Sequence, residues 1–145
     1  MGISRRNVMA TVLAVVGAGC GGGGAKTTVD VVLREFSVEP AQASAPAGEV
    51  TFEVRNEGPN DPHELVVIRT DLAPDALPTD DRGVVDEEGE GIEVIDEVEE
   101  IPVGGTASLT VDLDPGTYVL ICNIYDEEEA EAHYAQGMRT AFTVE

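Results

Sequence analysis

The chain has 145 residues, 29 acidic against 8 basic, and a net charge of −21 at pH 7. That length supports one domain, and that charge excludes nucleic acid as a natural partner, because its phosphates would be repelled. Aromatics make up 4% of the residues and Trp is absent, so the core must be built from Val, Leu, Ile and Ala, a composition that leans towards strands.

Residues 1–20 open with Ser4-Arg5-Arg6, continue through a short apolar run at 9–16 and finish in Gly17-Ala18-Gly19-Cys20. A basic start, an apolar stretch too short to span a membrane and small residues ahead of a cysteine make an export signal. The small residues before Cys20 resemble a bacterial or archaeal lipobox, with Gly17 standing where Leu is usual. That resemblance implies that Cys20 is lipidated and anchors the protein at the extracytoplasmic face of the cell membrane. Ser4-Arg5-Arg6 also resembles a twin-arginine signal. The Gly-rich residues 21–27 read as a tether and 28–145 as the folded domain. With Cys20 in the leader and Cys122 far along the chain, no disulfide is expected.

Alternating apolar residues from Val29 predict a first strand, broken in register at Glu35 and Phe36 and ended by Pro40. Residues 42–48 read as loop or a poorly paired strand. Val50, Phe52 and Val54 share one face of a strand over 49–55, which Asn56-Glu57-Gly58 closes by turn chemistry. The following turn carries His63, and another strand leaves it over 64–69. Residues 70–91, with Pro74, Pro78, Gly83 and many acids, read as a long surface connection with a short helical turn over 71–77. Short strands follow over 92–95 and 98–101. Alternation over 106–113 predicts a half-buried strand, and the tight turn Asp114-Pro115-Gly116 feeds another over 117–122, before a last strand over 139–144. Seven to eight short strands with no long helical period predict an all-β protein, a single antiparallel Greek-key β-sandwich.

The run Tyr118-Val-Leu-Ile-Cys122 puts a sulfur at the end of a strand, on the face shared by Tyr118 and Leu120. An imidazole, His133, and a thioether, Met138, follow it, and the other of the two histidines is His63. Two imidazoles and a thiolate with a weak axial thioether are the donors of a type 1 copper site. His63, Cys122, His133 and Met138 are therefore candidate ligands of one copper ion, and Asn123 and Pro62 are candidate supports beside them. Each has an ordinary reading when taken singly: Cys122 as a core thiol, Met138 as packing, His63 as a turn residue and His133 as a solvated side chain. Four such residues, each at a strand end or in the next loop, favour the metal.

Asn56-x-Gly58-x-x-x-x-His63, Gly116-Thr-Tyr118-x-x-x-Cys122 and His133-x-x-x-Gly137-Met138 resemble the motifs of the cupredoxins, the family of plastocyanin, azurin and their lipoprotein relatives, over residues 29–144. The resemblance implies a blue copper protein that cycles Cu(I)/Cu(II) as a one-electron carrier. It implies that His63, Cys122 and His133 are equatorial ligands, that Met138 is axial, and that an exposed His133 is the electron port. One feature departs from the family: ten residues, 123–132, separate Cys122 from His133, where small cupredoxins have a few. Asp126, Glu127, Glu128, Glu129 and Glu131 lie in that segment and would steer a redox partner with a basic docking surface.

Two other functions compete: an extracytoplasmic copper-binding or delivery protein, and an interaction domain that retains the fold. An enzyme is not expected, because oxidases and nitrite reductases of this fold need further histidines and both of these are used; the same count removes a Ser-His-Asp hydrolase. The acidic stretch 86–100 lacks the spacing of a calcium loop and reads as a solvated face of a monomer.

Overall fold

The computed structural model describes residues 24–145; the expected export signal, Cys20 and Gly21 to Gly23 lie outside the described residues. The strands are β1 (Ala25–Arg34), β2 (Ser37–Pro40), β3 (Ser44–Ala45), β4 (Gly48–Gly58), β5 (His63–Thr70), β6 (Ile92–Ile101), β7 (Thr106–Leu113), β8 (Gly116–Ile121), β9 (Tyr125–Asp126), β10 (Glu131–Ala132) and β11 (Arg139–Val144). One sheet runs β2-β1-β4-β7, the second runs β3-β11-β8-β5-β6, and β9 and β10 form a separate hairpin. This is the expected β-sandwich.

Several elements differ from expectation in detail. β1 pairs with β4 and β11 with β3 in parallel, so the sandwich is mixed rather than wholly antiparallel. β1 begins at Ala25, so the last residues of the expected tether are part of the sheet. Glu35 and Phe36 break the alternation because they form the turn between β1 and β2. The two strands expected over 92–101 are one strand, β6, whose register against β5 shifts twice. No helical turn forms over 71–77; the described helix is α1 (His133–Gln136), four residues directly at the second histidine.

Period-two patterning carries one core. Val29, Val31 and Leu33 of β1, Val50, Phe52 and Val54 of β4, and Leu109, Val111 and Leu113 of β7 face Leu65, Val67, Tyr118, Leu120 and Phe142 from the other sheet. β5 and β8 are apolar without alternation because both of their faces are covered. Val66, Ile68, Val119 and Ile121 on the outer face pack with Leu77, Val85 and Tyr134. The segment between β5 and β6 is therefore a lid over the second sheet, held by two of its own apolar side chains, rather than a wholly exposed connection.

Candidate metal centre

Asn56, two residues before the end of β4, has a fully buried side chain that gathers the loop before His63. Its Nδ2 donates to the Asp61 carbonyl at 2.8 Å and the Ile101 carbonyl at 2.9 Å, and its Oδ1 accepts from Gly58 N at 2.7 Å. Glu35 grips the same loop from the β1–β2 turn, accepting from Asn60 N at 3.1 Å and Asp61 N at 2.7 Å. His63, the first residue of β5, is thereby fixed against Ile101 of β6.

Cys122 follows β8 directly. Its amide donates to the Met138 carbonyl at 3.1 Å, and its sulfur accepts from Glu64 N at 3.4 Å. The His133 amide donates to the Ile124 carbonyl at 2.9 Å, so the chain returns beside Cys122 despite the intervening segment. After α1, Gly137 adopts φ 128°, and the Met138 amide closes back on the His133 carbonyl at 3.1 Å. A Cβ on Gly137 would stand 3.1 Å from the Phe36 carbonyl oxygen, and its φ lies where only glycine is unstrained. That is a physical reason for the Gly-Met pair.

Three donor atoms converge. His63 Nδ1 lies 3.2 Å from His133 Nδ1, and Cys122 Sγ lies 3.6 Å from His133 Nδ1 and 3.9 Å from His63 Nδ1. The point in their plane equidistant from all three lies about 2.1 Å from each, close to metal–imidazole bond lengths of about 2.0–2.1 Å and metal–thiolate lengths of about 2.3 Å. Soft sulfur with two imidazoles suits copper, and the three atoms already stand at metal-binding separations. Met138 is fully buried in the same core cluster as Cys122 and is bonded through its main chain to both Cys122 and His133.

Burial sets the electrostatics. The Cys122 thiol is pushed up to about 12 by desolvation, against which the amides of Glu64 and Ile124 pull downward. Both imidazoles are held below their usual value, chiefly by burial and, for His63, next by His133. At neutral pH the metal-free donors are thus a thiol and two neutral imidazoles, and a metal must displace the thiol proton. Neither Nε2 makes a hydrogen bond. Glu35 Oε1 is 3.1 Å from His63 Nε2 and Asp61 Oδ2 is 3.8 Å from His133 Nε2, and each carboxylate raises its imidazole chiefly by charge, against the larger effect of burial.

The expectation of an exposed His133 is corrected: it is 1% exposed, with Phe36 edge-on at 5.4 Å between ring centres and Asp61 behind its Nε2. Asn123 does not bond the donor side chains. Its side chain ties down the lid, accepting from Val85 N at 2.7 Å and donating to the Val85 carbonyl and Glu87, while its amide donates to Glu64 Oε1 at 3.0 Å. Pro62 is exposed before the buried His63. Glu35, Asn56 and Asp61 are supports that the sequence reading did not single out as site residues; the register break at Glu35 and the motif asparagine were the available signals.

A mixed β-sandwich with Cys and His donors converging at one end is the cupredoxin arrangement, and the chain has that fold. No protein-family model and no curated protein sequence matches it. Among solved structures it is similar to dithionite-reduced auracyanin from the photosynthetic bacterium Roseiflexus castenholzii, with 22% identity, 86% of this chain and 99% of that one covered, and a TM-score of 0.54. It is similar to auracyanin B at 22% identity, 82% and 88% coverage and a TM-score of 0.55. Rusticyanin from Thiobacillus ferrooxidans gives 20% identity, 81% and 77% coverage and a TM-score of 0.56. At these identities the likeness establishes the shared fold.

Proposed function

We propose that the protein is a type 1 copper protein that carries single electrons at the outer face of the cell membrane, with His63, Cys122, His133 and Met138 holding one copper ion. The observation that carries this reading is the buried triangle of two Nδ1 atoms and one Sγ, with sides of 3.2, 3.6 and 3.9 Å. When bound, copper supplies the Cu(I)/Cu(II) couple. The chain supplies rigidity: His63 is fixed by the Asn56 and Glu35 anchors, Cys122 by the Met138 carbonyl, and His133 by the Ile124 carbonyl. Donors that cannot relax keep the geometry similar in both oxidation states, and burial of all three excludes water.

Both histidines of the chain lie in this one cluster, which leaves none for a second copper centre and supports a carrier over an oxidase. A cradle with no exposed donor favours electron transfer over handing copper to another protein. Asp61, Asp126 and Glu131 act on His133 by charge, and Glu129 is raised above the ordinary carboxylate value by neighbouring Glu131 and Asp126. This acidic collar over the buried His133 suits a redox partner with a basic docking surface. Attachment through lipidated Cys20 keeps the carrier near membrane-bound partners. Detergent partitioning of the wild-type chain against Cys20→Ser tests the anchor.

The deciding experiment is the visible spectrum after addition of Cu(II), with Cys122→Ser beside it. An intense thiolate-to-copper band, lost in Cys122→Ser and cycled reversibly by reductant and oxidant, is the expected result. A colourless protein, or a band indifferent to Cys122, would overturn the reading.

A further inference from the structure

Glu35 is remote in sequence from every donor, yet its side chain is 9% exposed and its carboxylate stands 3.1 Å from His63 Nε2. Two main-chain amides of the His63 loop hold it there. Asp61, in that loop, sets a second carboxylate 3.8 Å from His133 Nε2. Each imidazole thus presents Nδ1 to the triangle and has a negative charge behind its other nitrogen.

We infer that Glu35 is a positioning residue that, with Asp61 as a weaker counterpart, selects the metal-ready tautomer of the imidazoles and biases the site towards its oxidised state. This rests on the copper reading above for its redox half only. The tautomer half follows from charge. A carboxylate beside Nε2 favours the proton on that nitrogen, which leaves the Nδ1 lone pair aimed into the triangle. Without it, the 3.2 Å approach of the two Nδ1 atoms favours a proton on one of them, shared with the other, and the triangle closes on itself. The redox half follows from Coulomb's law. A buried anion close to a cation stabilises its higher charge state, and water does little to screen a side chain this deeply set. Glu35 outweighs Asp61 because it is nearer its histidine and less exposed, at 9% against 23%.

The test compares wild type with Glu35→Gln, Asp61→Asn and Glu35→Asp. Glu35→Gln keeps one oxygen for the Asn60 and Asp61 amides, while the charge and the second acceptor oxygen are replaced by a neutral NH2. In the metal-free protein, ring nitrogen-15 shifts report the tautomers: the wild type should show His63 with its proton on Nε2, and Glu35→Gln should move population to Nδ1. In the copper-loaded protein, the Cu(I):Cu(II) ratio in a fixed redox buffer should rise by roughly tenfold in Glu35→Gln, by less in Asp61→Asn, and little in Glu35→Asp. A Glu35→Gln protein with wild-type tautomers and a wild-type ratio would reduce Glu35 to a loop cap and overturn the inference. If Glu35→Gln does not fold, Asp61→Asn decides through the His133 tautomer, since its side chain carries none of the loop's hydrogen bonds; no shift there overturns the inference. A chain that binds no copper would refute the proposed function, while the nitrogen-15 readout would still decide the tautomer claim.

Discussion

Replacing Asn56 with alanine should cost more than any other single change to the loop that presents His63. The side chain is fully buried and makes three hydrogen bonds of 2.7–2.9 Å, to the Asp61 and Ile101 carbonyls and from the Gly58 amide. Each is worth about 1 kcal/mol net, and alanine also leaves three main-chain groups without that partner, so the expected loss is about 3–4 kcal/mol. For a domain of this size that lowers Tm by roughly 10–15 °C. The measurement is urea unfolding of the metal-free protein, combined with amide hydrogen exchange. Exchange should accelerate first at Gly58 and around the loop, while β8 stays protected. Asn56→Asp retains the acceptor for Gly58 but faces a carboxylate towards two carbonyl oxygens, so it should be no milder than alanine. A loss below about 1 kcal/mol with unchanged loop exchange would refute the view that this side chain organises the His63 loop.

Because the metal-free thiol is pushed up to about 12, copper uptake near pH 7 should release about one proton per metal, and affinity should rise roughly tenfold per pH unit through the mildly alkaline range; potentiometric and competition titrations check both. Glu64 is raised to about 7, mainly by burial, so the folded state holds its proton more tightly than the unfolded chain does. The stability this proton contributes is present below about pH 4.5 and is lost as pH rises through 7. Metal-free Glu64→Gln should accordingly exceed wild type by about 1–2 kcal/mol at pH 8, after discounting for partial exposure, and match it at pH 4 in denaturant titrations. Tyr134→Phe removes a hydroxyl that donates to the Pro74 carbonyl and accepts from Leu77 N; about 2 kcal/mol should be lost, with faster exchange across residues 71–91. Replacing residues 125–132 with two glycines should retain the copper band and flatten the salt dependence of electron exchange with a lysine-rich cytochrome.

The donors were legible because their chemistry is sparse and ordered: the chain has two histidines, and the one described cysteine ends an apolar strand. The strands were legible where one face is wet, as in β4 and β7, since period-two alternation is the trace of half-burial. It fails for β5 and β8, whose outer face is covered by Leu77, Val85 and Tyr134, and nothing local in an acidic, proline-broken segment announces that it folds back over a sheet. Glu35 was visible only as a fault in alternation. Its meaning lies in amides about 25 positions later, a relation set by the turn between β1 and β2 and by no local pattern. His133 looked solvent-facing because acids surround it in sequence, but those acids form a rim while Phe36 closes over the ring.

The separation of Cys122 from His133 matters less than its length suggests. The hydrogen bond from His133 N to the Ile124 carbonyl joins the two sides of the segment at its base, and β9 and β10 continue outward with Ala132 opposite Tyr125 and Glu131 opposite Asp126. Asp126 Oδ1 closes the tip by accepting from Glu128 N and Glu129 N. Seen from the donors, the connection is short and the excess is a hairpin standing to one side. Arg82 braces that hairpin to the lid, with its guanidinium 4.9 Å over the Tyr125 ring and paired with Asp80. Rigidity at the metal and charge at the surface are therefore carried by different residues. Substitutions in the exposed acids can change which protein docks without moving a donor, whereas Glu35 and Asn56, both held inside, govern what the donors do.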